Sequence, residues 1–309
     1  MMERAPLVVI AGPTGVGKTA TAVALARRLA IEVVGADSRQ VYRGVDVATG
    51  KPRAAERSAV PHHLLDVVDP DDRYTAARFR TDALAAIAGI RERGRLPVVV
   101  GGTGLYIRAL LRGLDPAPPA DPALRRELAG VAATEGRAVL HERLSRQSPE
   151  MARRLHPNDA VRVVRALERL RAGAEMAQHR WRSGESAFDV LYVGLRLPRA
   201  VLFARLRARA EAMVAAGLLD EVRTLLGRGY GPGLPALQGI GYREFARVAE
   251  GTLGVTDALR LMQRDTMRYA KRQETWFARE PEVEWIDAGD DDAVAGMIEK
   301  KVMMRGFAE

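Results

Sequence analysis

The chain has 309 residues, of which 47% are hydrophobic and 28% are charged, as expected for a globular protein of about two domains. It contains no cysteine, which excludes disulfides, thiolate metal sites and thiol chemistry. We expect neither a signal peptide nor a membrane span, and predict a cytoplasmic protein. The net charge is +9 and the pI is about 10.2. Such a charge indicates a nucleic-acid binder, although a solvated arginine-rich surface explains it equally well.

The chain begins with a pattern typical of a phosphate-binding loop. Residues 12–19 fit G-x-x-x-x-G-K-[ST], and they lie between an apolar run, 7–11, and a helix-forming stretch, 20–30. In this setting backbone N–H groups converge on anionic oxygens and the helix N-terminus adds positive charge. Lys18 is expected to neutralise a second phosphate and Thr19 to ligate Mg²⁺. The predicted diphosphate or triphosphate site comprises Gly12, Pro13, Thr14, Gly15, Val16, Gly17, Lys18 and Thr19.

The first third of the chain alternates predicted strands with helices. The strands are 6–11, 31–35 and 97–100, and the helices are 18–30 and 75–93. Such alternation predicts βαβ units and a parallel sheet.

A change of pattern follows at residues 114–122, which include four prolines in nine positions and therefore predict a boundary. Only helical patterns follow as far as about 182. A strand returns at 190–195, and the last predicted helices are 199–216, 218–227 and 256–277. We therefore predict an α/β fold with a P-loop NTPase-like parallel-sheet core, residues 1–120 and 188–309. An all-helical domain, 121–187, is inserted into it.

Three further clusters are predicted near the carboxyl ends of the strands, where α/β sheets bind ligands. Each has a plain alternative: a turn or helix cap for 37–42, a tight turn for 101–106, and a helix cap for 238–244. Three arginine-bearing helix faces, including Arg162, Arg165 and Arg169 on one helix, are individually typical of solvated surfaces. Together with a phosphate site, they favour RNA as a partner.

The ordered motifs resemble those of the tRNA dimethylallyltransferase (tRNA isopentenyltransferase) family in its bacterial form, over almost the whole length. The motifs are 12–19, Asp37-Ser38-Arg39-Gln40-Val41-Tyr42, His62-His63-Leu64-Leu65-Asp66, 100–106, His156-Pro157-Asn158-Asp159, 239–243, and 269–273 before Thr275-Trp276-Phe277. The resemblance implies transfer of a dimethylallyl group from dimethylallyl diphosphate to the exocyclic amine of the adenine 3′ to the anticodon. Mg²⁺ is the implied cofactor, and the partners are the tRNA anticodon stem-loop and the diphosphate, without a membrane. We expect a monomer.

The resemblance also implies roles for individual residues. Asp37 would orient the amine and accept its proton, Thr103 would lie near the reacting groups, and Arg209 would stabilise the departing pyrophosphate. The residues implied to hold the tRNA, mainly through its anticodon loop, are Asp37, Ser38, Arg39, Gln40, Thr103, Arg125, Val161, Arg162, Val163, Val164, Arg165, Gln238, Gly239, Ile240, Gly241, Tyr242, Arg243, Lys271 and Arg272. His62 and His63 are interpreted as structural rather than metal-binding, since no third ligand is evident.

Two alternative functions belong to other classes. A P-loop kinase with Asp37 as its base would explain the first clusters but not the basic inserted domain. A non-catalytic RNA-binding module would leave the phosphate-binding loop unexplained. Consumption of ATP distinguishes the kinase, and product formation distinguishes the binding module.

Overall fold

The computed structural model describes residues 4–114, 118, 121–173 and 186–308. The chain divides into two compact units, one formed by residues 1–113 and 185–309 and the other by 114–184. We call them the core unit and the helical unit. Within the proline-rich boundary predicted at 114–122, residues 115–117 and 119–120 lie outside the described part of the chain.

The core unit is built on a six-stranded sheet in which every pair of neighbouring strands is parallel. Its order is β3-β2-β4-β1-β5-β6. The strands are β1 (Ala5–Ala11), β2 (Ile31–Gly35), β3 (His62–His63), β4 (Leu96–Gly101), β5 (Phe188–Arg196) and β6 (Glu284–Asp287). The predicted α/β fold with a P-loop NTPase-like sheet is therefore confirmed, and the short edge strands β3 and β6 extend it beyond the prediction.

Both faces of the sheet are covered, as parallel sheets require. Alternate residues of β1 belong to opposite cores: Leu7 and Val9 contribute to one, and Val8 and Ile10 to the other. All four side chains are fully buried. The continuous apolar run of β1 follows from this two-sided burial, and it fixes the loop after β1 at the carboxyl edge of the sheet.

Thirteen helices are present in the described residues. They are α1 (Lys18–Ala26), α2 (Ala54–Ala59), α3 (Ala76–Glu92), α4 (Gly104–Arg112), α5 (Pro122–Thr134), α6 (Ala138–Gln147), α7 (Pro149–Arg153), α8 (Ala160–Arg171), α9 (Arg199–Ala215), α10 (Leu218–Gly227), α11 (Tyr242–Ala249), α12 (Val255–Phe277) and α13 (Asp291–Met304). Among these described helices, none combines the length and apolarity needed to cross a membrane.

Residues 280–309, which carry nine acidic and three basic side chains, contain a helix that was not predicted from the sequence. Asp290 caps α13, accepting hydrogen bonds from the backbone N–H groups of Asp292 and Ala293. The helix buries Val294 and Ile298 against the face of the sheet that also receives α1. Part of the acidic charge therefore lies in the first turn of a helix, where it interacts favourably with the helix dipole.

The described residues of the helical unit form α5 to α8 around a separate apolar core. Leu124 and Leu128 of α5 pack with Leu140 and Leu144 of α6 and Val163 of α8. Asp121, Ser148 and Asp159 cap α5, α7 and α8. This unit has the sequence features of an independent packing unit: a proline at the first position of α5 and of α7, capping side chains and its own core.

Candidate active site

The loop after β1 has the geometry of a phosphate cradle. Gly12 adopts φ of 147°, and a Cβ there would lie 2.6 Å from the carbonyl oxygen of Leu195, so only glycine fits without displacement. Lys18 donates from Nζ to the carbonyl oxygens of Gly12 (3.0 Å) and Pro13 (2.8 Å). The ammonium group is thus held within the loop, at the first turn of α1.

The electrostatic environment of Lys18 makes it sensitive to a ligand. Burial lowers the pKa of Lys18 to about 8; the charge of Asp37 opposes this shift and the charge of Arg209 adds to it. An anion bound beside Lys18 would raise this pKa again, because an opposite charge within a few ångströms favours the charged form.

A cavity of about 780 Å³ opens beside this loop at the carboxyl edge of the sheet. Thr14, Gly15, Gly17, Lys18 and Thr19 line it together with Asp37 and Arg209. Cationic side chains and the N-terminal end of α1 therefore converge on one cavity, as an anion site requires. Five of the eight predicted diphosphate-binding residues thus line one cavity with Asp37 and Arg209. Gly12, Pro13 and Val16 are not among the lining residues, and Val16 is buried in the core beneath the loop.

Asp37 follows β2, and its position is fixed through the loop it begins. Its Oδ1 accepts a hydrogen bond from the backbone N–H of Arg39 at 2.8 Å. The next residue, Ser38, donates its backbone N–H to Thr103 Oγ1 at 3.0 Å. Thr103 precedes α4, so the loops after β2 and β4 are joined directly. One carboxylate oxygen of Asp37 is used locally, and the group still lines the cavity.

Arg209, on α9, reaches across to the phosphate-binding loop. Its Nη1 donates to Thr14 Oγ1 at 3.4 Å. Burial lowers its pKa, while the charges of Asp37 and Glu56 raise it. Among the described residues, no carboxylate oxygen lies within 4.0 Å of its guanidinium nitrogens. The positive charge of Arg209 is therefore desolvated and not neutralised by an ion pair.

A second cavity, of about 260 Å³, has five lining residues in common with the first. The shared residues are Thr14, Asp37, Thr49, Arg209 and Met213. Its other walls include Ser38, Arg39, Gln238, Gly239, Ile240, Tyr242, Arg243, Tyr269 and Arg272. Most of the core-unit residues implied to hold RNA thus line a cavity that meets the phosphate cavity at Asp37 and Arg209.

The predicted RNA-contacting residues of the core unit differ in exposure. Gln238, Lys271 and Arg272 are exposed, whereas Tyr242 is 1% exposed, with its hydroxyl donating to Glu221. Arg243 is bound to Glu244 and Asp265. Tyr242 therefore has no ring face available for stacking on a base in this conformation.

Gln273, a residue of the motif 269–273, joins the phosphate-binding loop to the loop after β4. Its Oε1 accepts from the backbone N–H of Thr14 at 2.8 Å, and its Nε2 donates to the carbonyl oxygen of Gly102 at 2.8 Å. Both partners lie more than 170 positions away in sequence. Spacing within α12 therefore carried no signal for this contact.

The arginines predicted to contact RNA in the helical unit surround a buried carboxylate. Glu168 is 3% exposed; it accepts from Arg125 Nε (2.6 Å) and Nη2 (2.9 Å) and from Arg165 Nη1 (2.9 Å). Burial alone would raise the pKa of Glu168, but these hydrogen bonds lower it to about 2. Much of the hydrogen-bonding capacity of Arg125 and Arg165 is therefore used within the unit.

The other members of the predicted set on α8 point in different directions. Val163 is fully buried, Val161 is 82% exposed, and Val164 is partly buried. The Arg162 side chain is 67% exposed, with Nε 3.5 Å from Asp159, while the Nε of Arg169 is buried. Val161 and Arg162 are therefore the most accessible of these residues.

The histidine pair belongs to the edge of the sheet. His63 Nε2 contacts Glu32 Oε2 at 2.7 Å, and His62 Nδ1 contacts the carbonyl oxygen of Val60 at 2.8 Å. Glu32 also binds Arg93. Both histidine rings thus have protein partners at strand β3.

Comparisons with known proteins agree with the motifs. The family described as IPP transferase matches residues 40–280, and the isopentenyl transferase family matches 5–66. A tRNA dimethylallyltransferase of Anaeromyxobacter dehalogenans (strain 2CP-C) is 52% identical, with 96% of this chain and 99% of that protein covered. One of Syntrophobacter fumaroxidans is 47% identical, with 95% and 86% covered.

Two solved structures are similar over nearly the whole chain. The full-length tRNA isopentenylpyrophosphate transferase of Bacillus halodurans has a TM-score of 0.73 and 39% identity, with 97% of this chain and 96% of that chain covered. A eukaryotic dimethylallyltransferase studied while acting on tRNA has a TM-score of 0.78 and 27% identity, with 98% and 80% covered. Since the family match spans residues 40–280 and relatives 47% and 52% identical cover 95% and 96% of the chain, the chain belongs to the IPP transferase family.

Proposed function

We propose that the protein is a tRNA dimethylallyltransferase. It transfers a dimethylallyl group from dimethylallyl diphosphate to the exocyclic amine of the adenine 3′-adjacent to the anticodon and releases pyrophosphate. The observation that carries this proposal is the meeting of two cavities at Asp37 and Arg209. One cavity is built for an anion, and the other is lined by the residues implied to hold RNA.

The donor diphosphate occupies the cavity beside residues 12–19. Lys18 then exchanges its hydrogen bonds to the carbonyls of Gly12 and Pro13 for bonds to phosphate oxygens. Arg209, which has no carboxylate partner within 4.0 Å among the described residues, faces the same cavity. As the allylic C–O bond breaks, negative charge grows on the departing pyrophosphate. Preorganised cations stabilise that charge more in the transition state than in the ground state.

The residues around Thr19 fit a Mg²⁺ ion carried by the diphosphate. Thr19 lines the phosphate cavity, and in the described residues its hydroxyl has no protein hydrogen-bond partner. The described residues also contain no cluster of three or more acidic or histidine side chains that could hold a metal by themselves. This donor set suits Mg²⁺, which binds through few protein groups, substrate phosphates and waters. When bound, the ion supplies neutralisation of the leaving group.

The acceptor adenine enters the second cavity, and Asp37 connects it with the donor. The adenine amine is a weak nucleophile because its lone pair is delocalised into the ring. As its nitrogen attacks the allylic carbon and the C–O bond breaks, a proton must leave the amine. Asp37 accepts this proton, and two observations support the role: the residue lines the cavity, and only its Oδ1 is bound to the backbone N–H of Arg39. Thr103 supports this geometry through the backbone N–H of Ser38.

RNA recognition uses the surfaces around the second cavity and those of the helical unit. The adenine must leave its stack to enter a cavity, as in other base-modifying enzymes. Unstacked loop bases are also what proteins read in RNA. Gln238, Lys271 and Arg272 are exposed in the core unit, and Val161 and Arg162 in the helical unit. We infer that the helical unit grips the anticodon stem-loop, that the enzyme acts as a monomer, and that it works in the cytoplasm.

The decisive assay uses unmodified tRNA and dimethylallyl diphosphate with Mg²⁺, followed by digestion and mass analysis of the nucleosides. A prenylated adenosine from the position next to the anticodon is the expected product. A parallel reaction with ATP and no prenyl donor tests the kinase alternative. Phosphorylation of any acceptor, or RNA binding without product, would overturn the proposal.

A further inference from the structure

Arg209 is positioned by close contact with the backbone of Gly50. A Cβ added at Gly50 would lie 1.7 Å from Nη2 of Arg209 and 2.9 Å from its Cζ. The guanidinium therefore packs directly on the Gly50 Cα. Gly50 has φ of 58°, so its conformation also favours glycine.

The segment that presents Gly50, residues 45–51, is anchored on several sides. Gln40 Nε2 donates to the carbonyl oxygens of Thr49 and Gly50, both at 3.2 Å. The backbone N–H groups of Asp46 and Val47 donate to Glu221 at 3.2 Å and 3.1 Å. Each bond uses a backbone group of the segment, so the path of the chain is fixed as well as its side chains.

The other end of the segment is anchored by a buried cation. The side chain of Lys51 is 3% exposed, and its ammonium group contacts Asp46, Asp66 and the carbonyl oxygen of Tyr42. Asp66 lies in the left-handed region with φ of 56° and also binds Arg57. This gives a physical role to the motif His62–Asp66, whose last residue holds Lys51.

Residues 45–51 are also linked to the second cavity, which is proposed to take the RNA base. The Tyr242 hydroxyl accepts from the backbone N–H of Ala48 at 3.3 Å and donates to Glu221. Tyr242 is the first residue of α11 and lines the second cavity. Tyr242 in the wall of the second cavity and Arg209 in the phosphate cavity are thus connected through residues 45–51.

We propose that Gly50 is a positioning residue for Arg209, and that the anchored segment 45–51 holds the guanidinium towards the pyrophosphate leaving group. This inference rests on the proposed function. An unpaired arginine side chain has many rotamers, and displacement of a catalytic group by about 1 Å can cost about 10²-fold in rate. A fixed backbone surface against the guanidinium restricts that freedom without neutralising the charge.

The test is a double-mutant cycle between Gly50→Ala and Arg209→Ala, with Gly44→Ala as the matched control. Gly44 also has positive φ, 69°, but a Cβ there meets its nearest atom at 3.7 Å, on Arg228. Both glycine variants therefore carry similar backbone strain, and only Gly50→Ala collides with Arg209. The readouts are kcat for prenyl transfer, KM for tRNA and the dissociation constant of pyrophosphate with Mg²⁺ by calorimetry.

We expect Gly50→Ala to lower kcat by about 10²-fold and to weaken pyrophosphate binding, with KM for tRNA unchanged. Gly44→Ala should stay within about twofold of wild type, and Gly50→Ala should have little further effect in the Arg209→Ala background. Independent, multiplicative losses, or equal losses in both glycine variants, would overturn the inference.

A second variant, Tyr242→Phe, tests the inference even if Gly50→Ala does not fold. Tyr242→Phe removes the acceptor of the Ala48 N–H and leaves Gly50 intact. It should weaken pyrophosphate binding in the Arg209 background and not in the Arg209→Ala background; equal weakening in both would contradict the inference. Wild-type protein that binds pyrophosphate but forms no prenylated adenosine would refute the proposed function alone, since the calorimetric cycle can still be measured.

Discussion

Arginines that were predicted from the sequence to lie in the functional site have different surroundings in the helical unit and in the core unit. In the helical unit, Arg125 and Arg165 converge on Glu168, whose side chain is 1% exposed. In the core unit, Arg209 is desolvated, and no described carboxylate lies within 4.0 Å of it. In the first arrangement one buried carboxylate offsets part of the charge of two arginines, whereas the second keeps a cation whose charge is available for a ligand.

This difference shows that a count of basic residues does not distinguish paired arginines from unpaired ones. The 48 lysine and arginine side chains include arginines that are paired with a buried carboxylate, as Arg125 and Arg165 are with Glu168. Buried ion pairs of this kind hold a structure in register, and removing one partner is costly. A desolvated cation without such a partner is typical of a functional site. We therefore infer a catalytic role for Arg209 and a structural role for Arg125 and Arg165 in the helical unit.

The largest expected effect concerns Asp37, whose negative charge acts on Arg209 without forming a direct ion pair with it. If Asp37 is a general base, Asp37→Asn should reduce kcat by about 10²–10⁴-fold with little change in tRNA affinity. If it were a structural counter-ion like Glu168, the variant would chiefly lower the melting temperature. Single-turnover kinetics beside thermal unfolding separate the two roles, and near-normal turnover would remove Asp37 from the mechanism.

Glu168→Gln tests the structural half of the comparison. It should destabilise the helical unit by about 3 kcal/mol, because two arginines lose a buried carboxylate. The pKa of Glu168 is lowered to about 2, so its stabilisation is present above the unfolded pKa of about 4.3 and is lost as pH falls towards 2. Urea unfolding at pH 7 and pH 3 measures both effects. Unchanged stability at pH 7, or a loss of pyrophosphate affinity, would contradict the assignment.

The pH dependence of donor binding tests the desolvated cations of the core unit. The pKa of Lys18 is about 8 in the free protein, and the diphosphate binds the charged form. The KM for dimethylallyl diphosphate should therefore rise up to tenfold per pH unit above about pH 8. Lys18→Ala should raise this KM at neutral pH and abolish the trend, and ATP should not replace the donor. A flat profile between pH 7 and 9.5 in the wild type would contradict this role.

The smallest expected effect concerns Arg162, an exposed arginine on α8 of the helical unit. Arg162→Gln should weaken tRNA binding a few-fold and reduce the slope of log affinity against log salt by about 0.7–0.9, as for the loss of one phosphate contact. Arg154→Gln, in the same unit and paired with Glu150, serves as the exposed control. Identical salt slopes for wild type and Arg162→Gln would leave the arginine as a solvated side chain.

The parts of the site that lie in single segments could be predicted from the sequence. Residues 12–19 carry the constraints of a phosphate-binding loop within eight positions, and Asp37 follows directly from the end of a predicted strand. The contacts of Gln273 and Gly50 could not be predicted, because their partners come from distant helices and loops. The burial of Tyr242 was likewise invisible, since its partner Glu221 lies on another helix.

The fold shows the same division between local and distant information. The long apolar strands at the centre of the sheet gave strong signals, whereas β3 has two residues and β6 has four, too few for a period to be read. Both short strands depend on pairing with β2 and β5. Helix α13 was not predicted, although Asp290 at its N-cap and the acidic residues of its first turn are typical of a helix start.

The central claim, prenyl transfer at the meeting point of the two cavities, is tested most directly by the stoichiometry of one reaction. Pyrophosphate and prenylated adenosine would be measured in the same sample over the time course with saturating tRNA. The account predicts one pyrophosphate for each prenylated adenosine, with no pyrophosphate formed when tRNA is omitted. Pyrophosphate release without prenylated adenosine, or product without pyrophosphate, would contradict it.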